Sequence, residues 1–173
     1  MTVVDDNITE LAKLLRSGFQ PSEMPKHRKE FQISRYVRPK LASGKKKSIT
    51  RICTTDMMYS AIHLIEDGGD APIHRHAGMD QIWMVLKGHA VFTDEHDREY
   101  RIEPMQSICV PRGKAYGYRK DGEEALLLMQ VAALNTKAKK NTLKFLGAKT
   151  NAEVQDGSSA KTELFDAVEA RID

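Results

Sequence analysis

From Met57 to Ile65 the chain alternates between two sets of positions that are both mostly apolar. Met57, Tyr59, Ala61, His63 and Ile65 fall on one side; Met58, Ser60, Ile62 and Leu64 fall on the other. A side-chain period of two marks a strand, and apolar residues on both faces mark one that is covered twice. The turn Glu66-Asp67-Gly68-Gly69-Asp70 closes it. Gln81, Trp83 and Val85 alternate with Ile82, Met84 and Leu86 in the same way. A third run, Ala125 to Val131, is apolar except for Gln130 and follows Asp121-Gly122, a hairpin signal. Short strands spaced by turns, with no helical period between them, predict an all-β sandwich or closed antiparallel barrel. Strands apolar on both faces also predict that an arm or a second subunit covers the outer surface, so a homodimer is expected.

The flanks follow a different pattern. Residues 7–17 predict a short helix: Asn7 caps, Glu10 lies three residues on, Ile8, Leu11 and Leu15 share a side, and Gly18 suits the stop. Pro21 and Pro25 break that pattern, and Phe31 and Ile33 suggest an extended piece ended by Pro39. Beyond Leu134 the chain turns polar to about Ala160. Lys161 to Arg171 then places Leu164, Ala167, Val168 and Arg171 on one side, which predicts a last helix. The resulting division is an N-terminal helix and basic arm over 1–50, a β-domain over 51–135, and a polar C-terminal extension with a short helix over 136–173.

Composition narrows the class. At 173 residues the chain is the size of one domain, with ordinary hydrophobic (40%) and charged (29%) content. No stretch approaches the roughly eighteen apolar residues of a membrane span, and no apolar signal core stands near Asp5 and Asp6. A cytoplasmic location is the expectation, and in a reducing compartment Cys53 and Cys109 read as small buried strand residues, not a disulfide. The net charge of +3 hides a basic run from Lys26 to Arg51, with Glu30 as its single acid. It reads as a solvated arm with a loop at Gly44-Lys45-Lys46-Lys47. Nucleic-acid contact is not expected: the segment has no groove-reading helix, and Phe31 and Tyr36 are too few for a stacking platform.

The chemistry concentrates in Gly68-x5-His74-x-His76-x4-Gln81-x6-Gly88. Two histidines two apart on a strand project from one face, so their imidazoles can converge on one ligand. About twenty residues on, Pro111-Arg112-Gly113-Lys114-Ala115-Tyr116 follows Ile108, Cys109 and Val110.

Over roughly Arg51 to Leu134 these two stretches resemble the cupin superfamily. Its first motif carries His-x-His and an acidic residue between glycines; its second carries Gly, Pro-x-Gly, His and Asn. Here Gln81 stands at the acidic position, Met105 at the opening Gly, Tyr116 at the last His and Lys120 at the Asn. The resemblance implies a cupin-type antiparallel β-barrel, or jelly roll. It also implies a divalent metal (Zn, Fe, Ni or Mn) held by His74, His76 and Gln81. Tyr116 then becomes the catalytic acid or base. Glutamine can coordinate but brings no charge, and a phenol ligates poorly while protonated. The implied activity is a metal-dependent isomerase, cyclase or lyase acting on a small polar metabolite. A non-catalytic metabolite- or metal-binding cupin, or a dioxygenase, are the alternatives. Asp80 is a reserve ligand, His63 a candidate to share the pocket, and Trp83 and Tyr118 candidates to line it. Arg112 and Lys114 are placed to attract an anionic substrate at the mouth.

Overall fold

The computed structural model describes residues 31, 33–55, 57–135, 143–145, 161–166 and 168–169. All the regular elements among them are strands. In chain order they are β1 (Ser34–Arg35), β2 (Lys47–Thr54), β3 (Met58–Ile65), β4 (Ala71–His76), β5 (Met79–Lys87), β6 (His89–Asp94) and β7 (Glu99–Ile102). There follow β8 (Ser107–Val110), β9 (Ala115–Asp121), β10 (Leu126–Leu134), β11 (Leu143–Phe145), β12 (Thr162–Asp166) and β13 (Val168–Glu169).

They build two main sheets, in the order β12-β2-β3-β10-β5-β8 and β11-β4-β9-β6-β7, with β1 and β13 paired apart. The alternation along each strand decides which residues meet between the sheets. On β5, Gln81, Trp83 and Val85 are buried while Ile82 is exposed. On β10, Leu126, Leu128, Gln130, Ala132 and Leu134 are buried at every second position. The core joins Ile65, Trp83, Val85, Leu126 and Leu128 of one sheet to Ala90, Phe92, Tyr116 and Tyr118 of the other. Residues apolar by sequence period are therefore the ones that hold the two layers together.

Three expectations change. Within the predicted helix over 161–171, residues 162–166 and 168–169 are strands: β12 runs parallel to β2, from Thr162 opposite Lys47 to Asp166 opposite Arg51, and β13 pairs with β1. Helical period over so short a stretch is a weak prior. The unpaired backbone row on the free edge of β2 is a stronger demand, and the backbone of 162–166 meets it. Asp121-Gly122 does not close a hairpin, because β9 and β10 lie in different sheets. Gly122, at φ +84, turns the chain across from one layer to the other. Cys53 and Cys109 are free thiols as expected, yet Cys109 is exposed, since it shares the outer face of β8 with Ser107. The predicted helix over 7–17 lies outside the described residues. No helix among those described is long and apolar enough to cross a membrane.

Candidate functional site

The register of β4 and β9 sets His74 directly opposite Tyr116. His76, two residues on, shares the face of His74, as a strand period requires. Their rings meet edge to face, with centroids 5.1 Å apart and planes at 89°. The Tyr116 ring lies 4.6 Å from that of His74 and 6.4 Å from that of His76. From the facing sheet, Gln81 on β5 brings its side-chain oxygen to 3.0 Å from the Tyr116 hydroxyl, which donates to it. The four sequence-predicted site residues therefore converge between the layers.

Glycine geometry supports the convergence. Gly117 separates Tyr116 from Tyr118, and a Cβ there would stand 2.8 Å from the Ala71 carbonyl oxygen. Only glycine lets β9 lie this close to β4 while both tyrosines face inward. Gly68, Gly88 and Gly113, the glycines of the two motifs, all adopt positive φ.

Burial governs the electrostatics. It drives the imidazoles down, His74 to about 4 and His76 to about 3, so both are neutral and carry lone pairs at ordinary pH. The Nδ1 of His74 lies 2.7 Å from the Pro72 carbonyl, which fixes the ring. The Nδ1 of His76 is buried with no hydrogen-bond partner. Burial pushes the Tyr116 phenol up, so it remains a protonated donor.

The donor atoms decide how a metal would fit. Neutral imidazoles suit a divalent ion, and the orphaned His76 nitrogen suits a ligand. Gln81 is different. Its oxygen accepts both from Tyr116 and, at 2.6 Å, from the Gln130 amide nitrogen. Two donors occupy both lone pairs, so as arranged Gln81 does not fit as a third ligand. Among the described residues, no group of three or more His, Cys, Asp or Glu is placed to hold an ion. The pair His74 and His76 fits; the set of three does not.

The remaining candidates separate clearly. Asp80 lies on the opposite side of β5 and accepts from the Arg112 backbone N–H at 2.9 Å, fastening the turn before β9 instead of entering the site. Arg112 approaches Asp80 and Lys114 approaches Glu95, so neither cation at the mouth lacks a counter-charge. Trp83 is a core residue, 2% exposed. His63 and Tyr118 are buried and hydrogen-bonded to each other, and His63 also meets Gln130. His89 and His96 are exposed, as expected; His27 lies outside the described residues.

Two residues escaped the sequence reading. Gln130 was legible as the one polar interruption of an apolar strand. Lys47 belonged, by its charged neighbours, to a solvated loop; it is instead buried at the start of β2. Its signal was period: it shares a face with Ile49 on a strand.

Residues 61–132 match the model of the cupin domain. No curated protein sequence matches the chain. Among solved structures, the chain is similar to an uncharacterized conserved protein with a double-stranded beta-helix domain from Klebsiella pneumoniae. That match has 17% identity and a TM-score of 0.54, covering 68% of this chain and 91% of that one. It is also similar to a cupin superfamily protein from Desulfitobacterium hafniense (16% identity, TM-score 0.49, 61% and 99% covered). A third similarity is to the Cnp3 cupin domain of Schizosaccharomyces pombe (19% identity, TM-score 0.48, 51% and 64% covered). At 17% identity the likeness to the first of these bears on fold alone.

Proposed function

Because residues 61–132 are a cupin domain, we propose that the space around His74, His76 and Tyr116 receives a small polar metabolite. There the protein catalyses proton transfer of the isomerase, cyclase or lyase kind. The observation that carries this reading is the meeting of two neutral imidazoles with a protonated phenol between the sheets. In such a place a donor is already oriented and little water competes. His74 and His76 would hold a divalent ion, which when bound supplies Lewis-acid polarisation of a substrate oxygen. Tyr116 holds the proton to be moved. His74, fixed by Pro72, keeps its ring against that phenol and sets its position.

Elemental analysis of protein purified without a nickel column, followed by titration with zinc and manganese, tests the reading. Stoichiometric binding that disappears in the double variant His74→Ala, His76→Ala supports it. Zinc and manganese that bind equally well to the double variant, or fail to bind the wild type, would remove the metal part. The homodimer belongs to the same proposal. Met58 and Ile82 stand 40% and 48% exposed on the outer side of the six-stranded sheet, where a second copy would cover them. Sedimentation equilibrium reads the mass directly.

A further inference from the structure

Six buried side chains from five strands form one hydrogen-bonded series that starts at Lys47 on β2 and ends at Tyr116 on β9. Lys47 Nζ lies 2.5 Å from Tyr118 Oη, and Tyr118 Oη lies 3.3 Å from His63 Nδ1. The His63 Nε2 lies 3.0 Å from Gln130 Oε1, and Gln130 leads to Gln81 and so to Tyr116. The strand register explains the middle links. Gln130 on β10 stands opposite Ala61 and Trp83, each two residues from His63 and Gln81 respectively, so it reaches both diagonally.

Such a series has a direction. An ammonium has three donors and no acceptor, so a charged Lys47 can only give a hydrogen bond to the Tyr118 oxygen. The Tyr118 hydrogen then goes to His63 Nδ1. Burial first, and the Lys47 charge second, hold His63 well below its usual pKa, so it is neutral and carries one proton, on Nε2. That proton meets the Gln130 oxygen, and the Gln130 nitrogen meets the Gln81 oxygen. Each link dictates the next.

The reverse direction also pairs every link from Lys47 to Gln81. A neutral Lys47 amine accepts from Tyr118, His63 carries its proton on Nδ1, both amides turn over, and Gln81 gives an N–H to the Tyr116 oxygen. A mixture of the two directions leaves a buried donor without an acceptor somewhere in the series, which is costly away from water.

We propose that the charge on Lys47 sets the direction of this series. It thereby decides whether Gln81 offers its oxygen or its nitrogen to Tyr116, leaving the other end of the amide for whatever binds at His74 and His76. With Lys47 charged, the Tyr116 proton is tied to Gln81. With Lys47 neutral, Tyr116 accepts from Gln81 and its own proton is released to a substrate, while the Gln81 oxygen becomes available beside the imidazoles. Lys47, Tyr118, His63 and Gln130 are positioning residues for the site.

The surroundings of Lys47 make the change of charge accessible. Burial lowers its pKa to about 8, with Asp70 opposing. The other groups facing it are Tyr118 on β9, whose ring centroid is 4.7 Å from Nζ, His63 on β3, and His74 on β4, which feels its charge. On the β12 side, Glu163 is engaged by the Ala42 backbone N–H.

This inference deepens the proton-transfer reading and rests on it for its purpose, but its test needs neither metal nor substrate, so the two can fail separately. Long-range hydrogen–nitrogen correlation spectra of the nitrogen-labelled full chain report the tautomer of His63. At about pH 6 the Nε2–H form is expected, passing to Nδ1–H as pH rises through the Lys47 transition. Lys47→Arg, which stays charged, holds the Nε2–H form throughout. An Nδ1–H form at about pH 6, or one tautomer retained by the wild type up to about pH 10, overturns the proposal. Both overturning results come from the wild-type protein, so failure of a variant to fold leaves the test intact.

Discussion

The hydroxyl of Tyr116 gives its hydrogen to the amide oxygen of Gln81, at 3.0 Å, across the two sheets. Removing that hydroxyl does not orphan the oxygen, because Gln130 still donates to it. Tyr116→Phe is therefore expected to cost only about 1 kcal/mol, the ordinary net worth of a hydrogen bond. Urea unfolding with an unchanged m-value checks this. Zinc affinity is expected to stay within about threefold, since the phenol is a proton holder and not a ligand. A loss of affinity of a hundredfold or more would make Tyr116 a ligand after all.

Gln81→Glu tests the other partner. A carboxylate keeps an oxygen for Gln130 and Tyr116 and adds a second oxygen and a negative charge near two neutral imidazoles. Divalent affinity is expected to rise about tenfold or more, which corresponds to about 1.4 kcal/mol. Calorimetric titration with zinc and manganese reads the change directly. An unchanged Kd would mean that position 81 does not face the ion.

The neutral histidines predict how stability depends on pH. His74 and His76 are held at about 4 and about 3, and His63 is also held well below its ordinary value, in each case chiefly by burial. Unfolding restores the usual pKa of about 6.5, so between these values the unfolded chain binds more protons than the folded one. Their contribution is thus fully present above about pH 6.5 and is lost as pH falls towards the folded values. Urea midpoints are expected to drop between about pH 6.5 and 5, before most carboxylates titrate. The drop should be shallower in the double variant His74→Asn, His76→Gln. Parallel slopes for the two proteins would show that the imidazoles are solvated.

Much of this arrangement could be read from the chain. Gly68, Gly88 and Gly113 punctuate the motifs because each occupies a positive φ, and the His-x-His spacing puts two imidazoles on one face by strand geometry alone. What escaped depended on partners distant in sequence. Residues 162–166 and 168–169 became strands because β2 and β1 offered edges, and no local period encodes an edge. Lys47 was hidden in a run of lysines. Its burial follows from Tyr118, 71 residues away, which accepts its hydrogen bond. Gln130 was visible as an anomaly, but its purpose needed His63 and Gln81 on the strands to either side.

Met105 supplies the last prediction. It stands where the second motif opens with glycine, and its φ is +66, in the left-handed region. Glu103-Pro104-Met105-Gln106 is a turn closed by the Gln106 N–H on the Glu103 carbonyl at 3.0 Å. Pro at its second position and positive φ at its third are the type II pattern. The turn is also tied to β5, since the Met105 N–H meets the Val85 carbonyl at 2.8 Å, so the backbone has little freedom to relax. The side chain is 73% exposed and contributes little packing. Met105→Gly is thus expected to stabilise the protein by about 0.5–1 kcal/mol, because relief of left-handed strain outweighs the extra freedom of the unfolded chain. Met105→Ala keeps the strain and should leave the urea midpoint within a few tenths of a kcal/mol of wild type. If the glycine variant were less stable than the alanine variant, the turn would not be strained at this position.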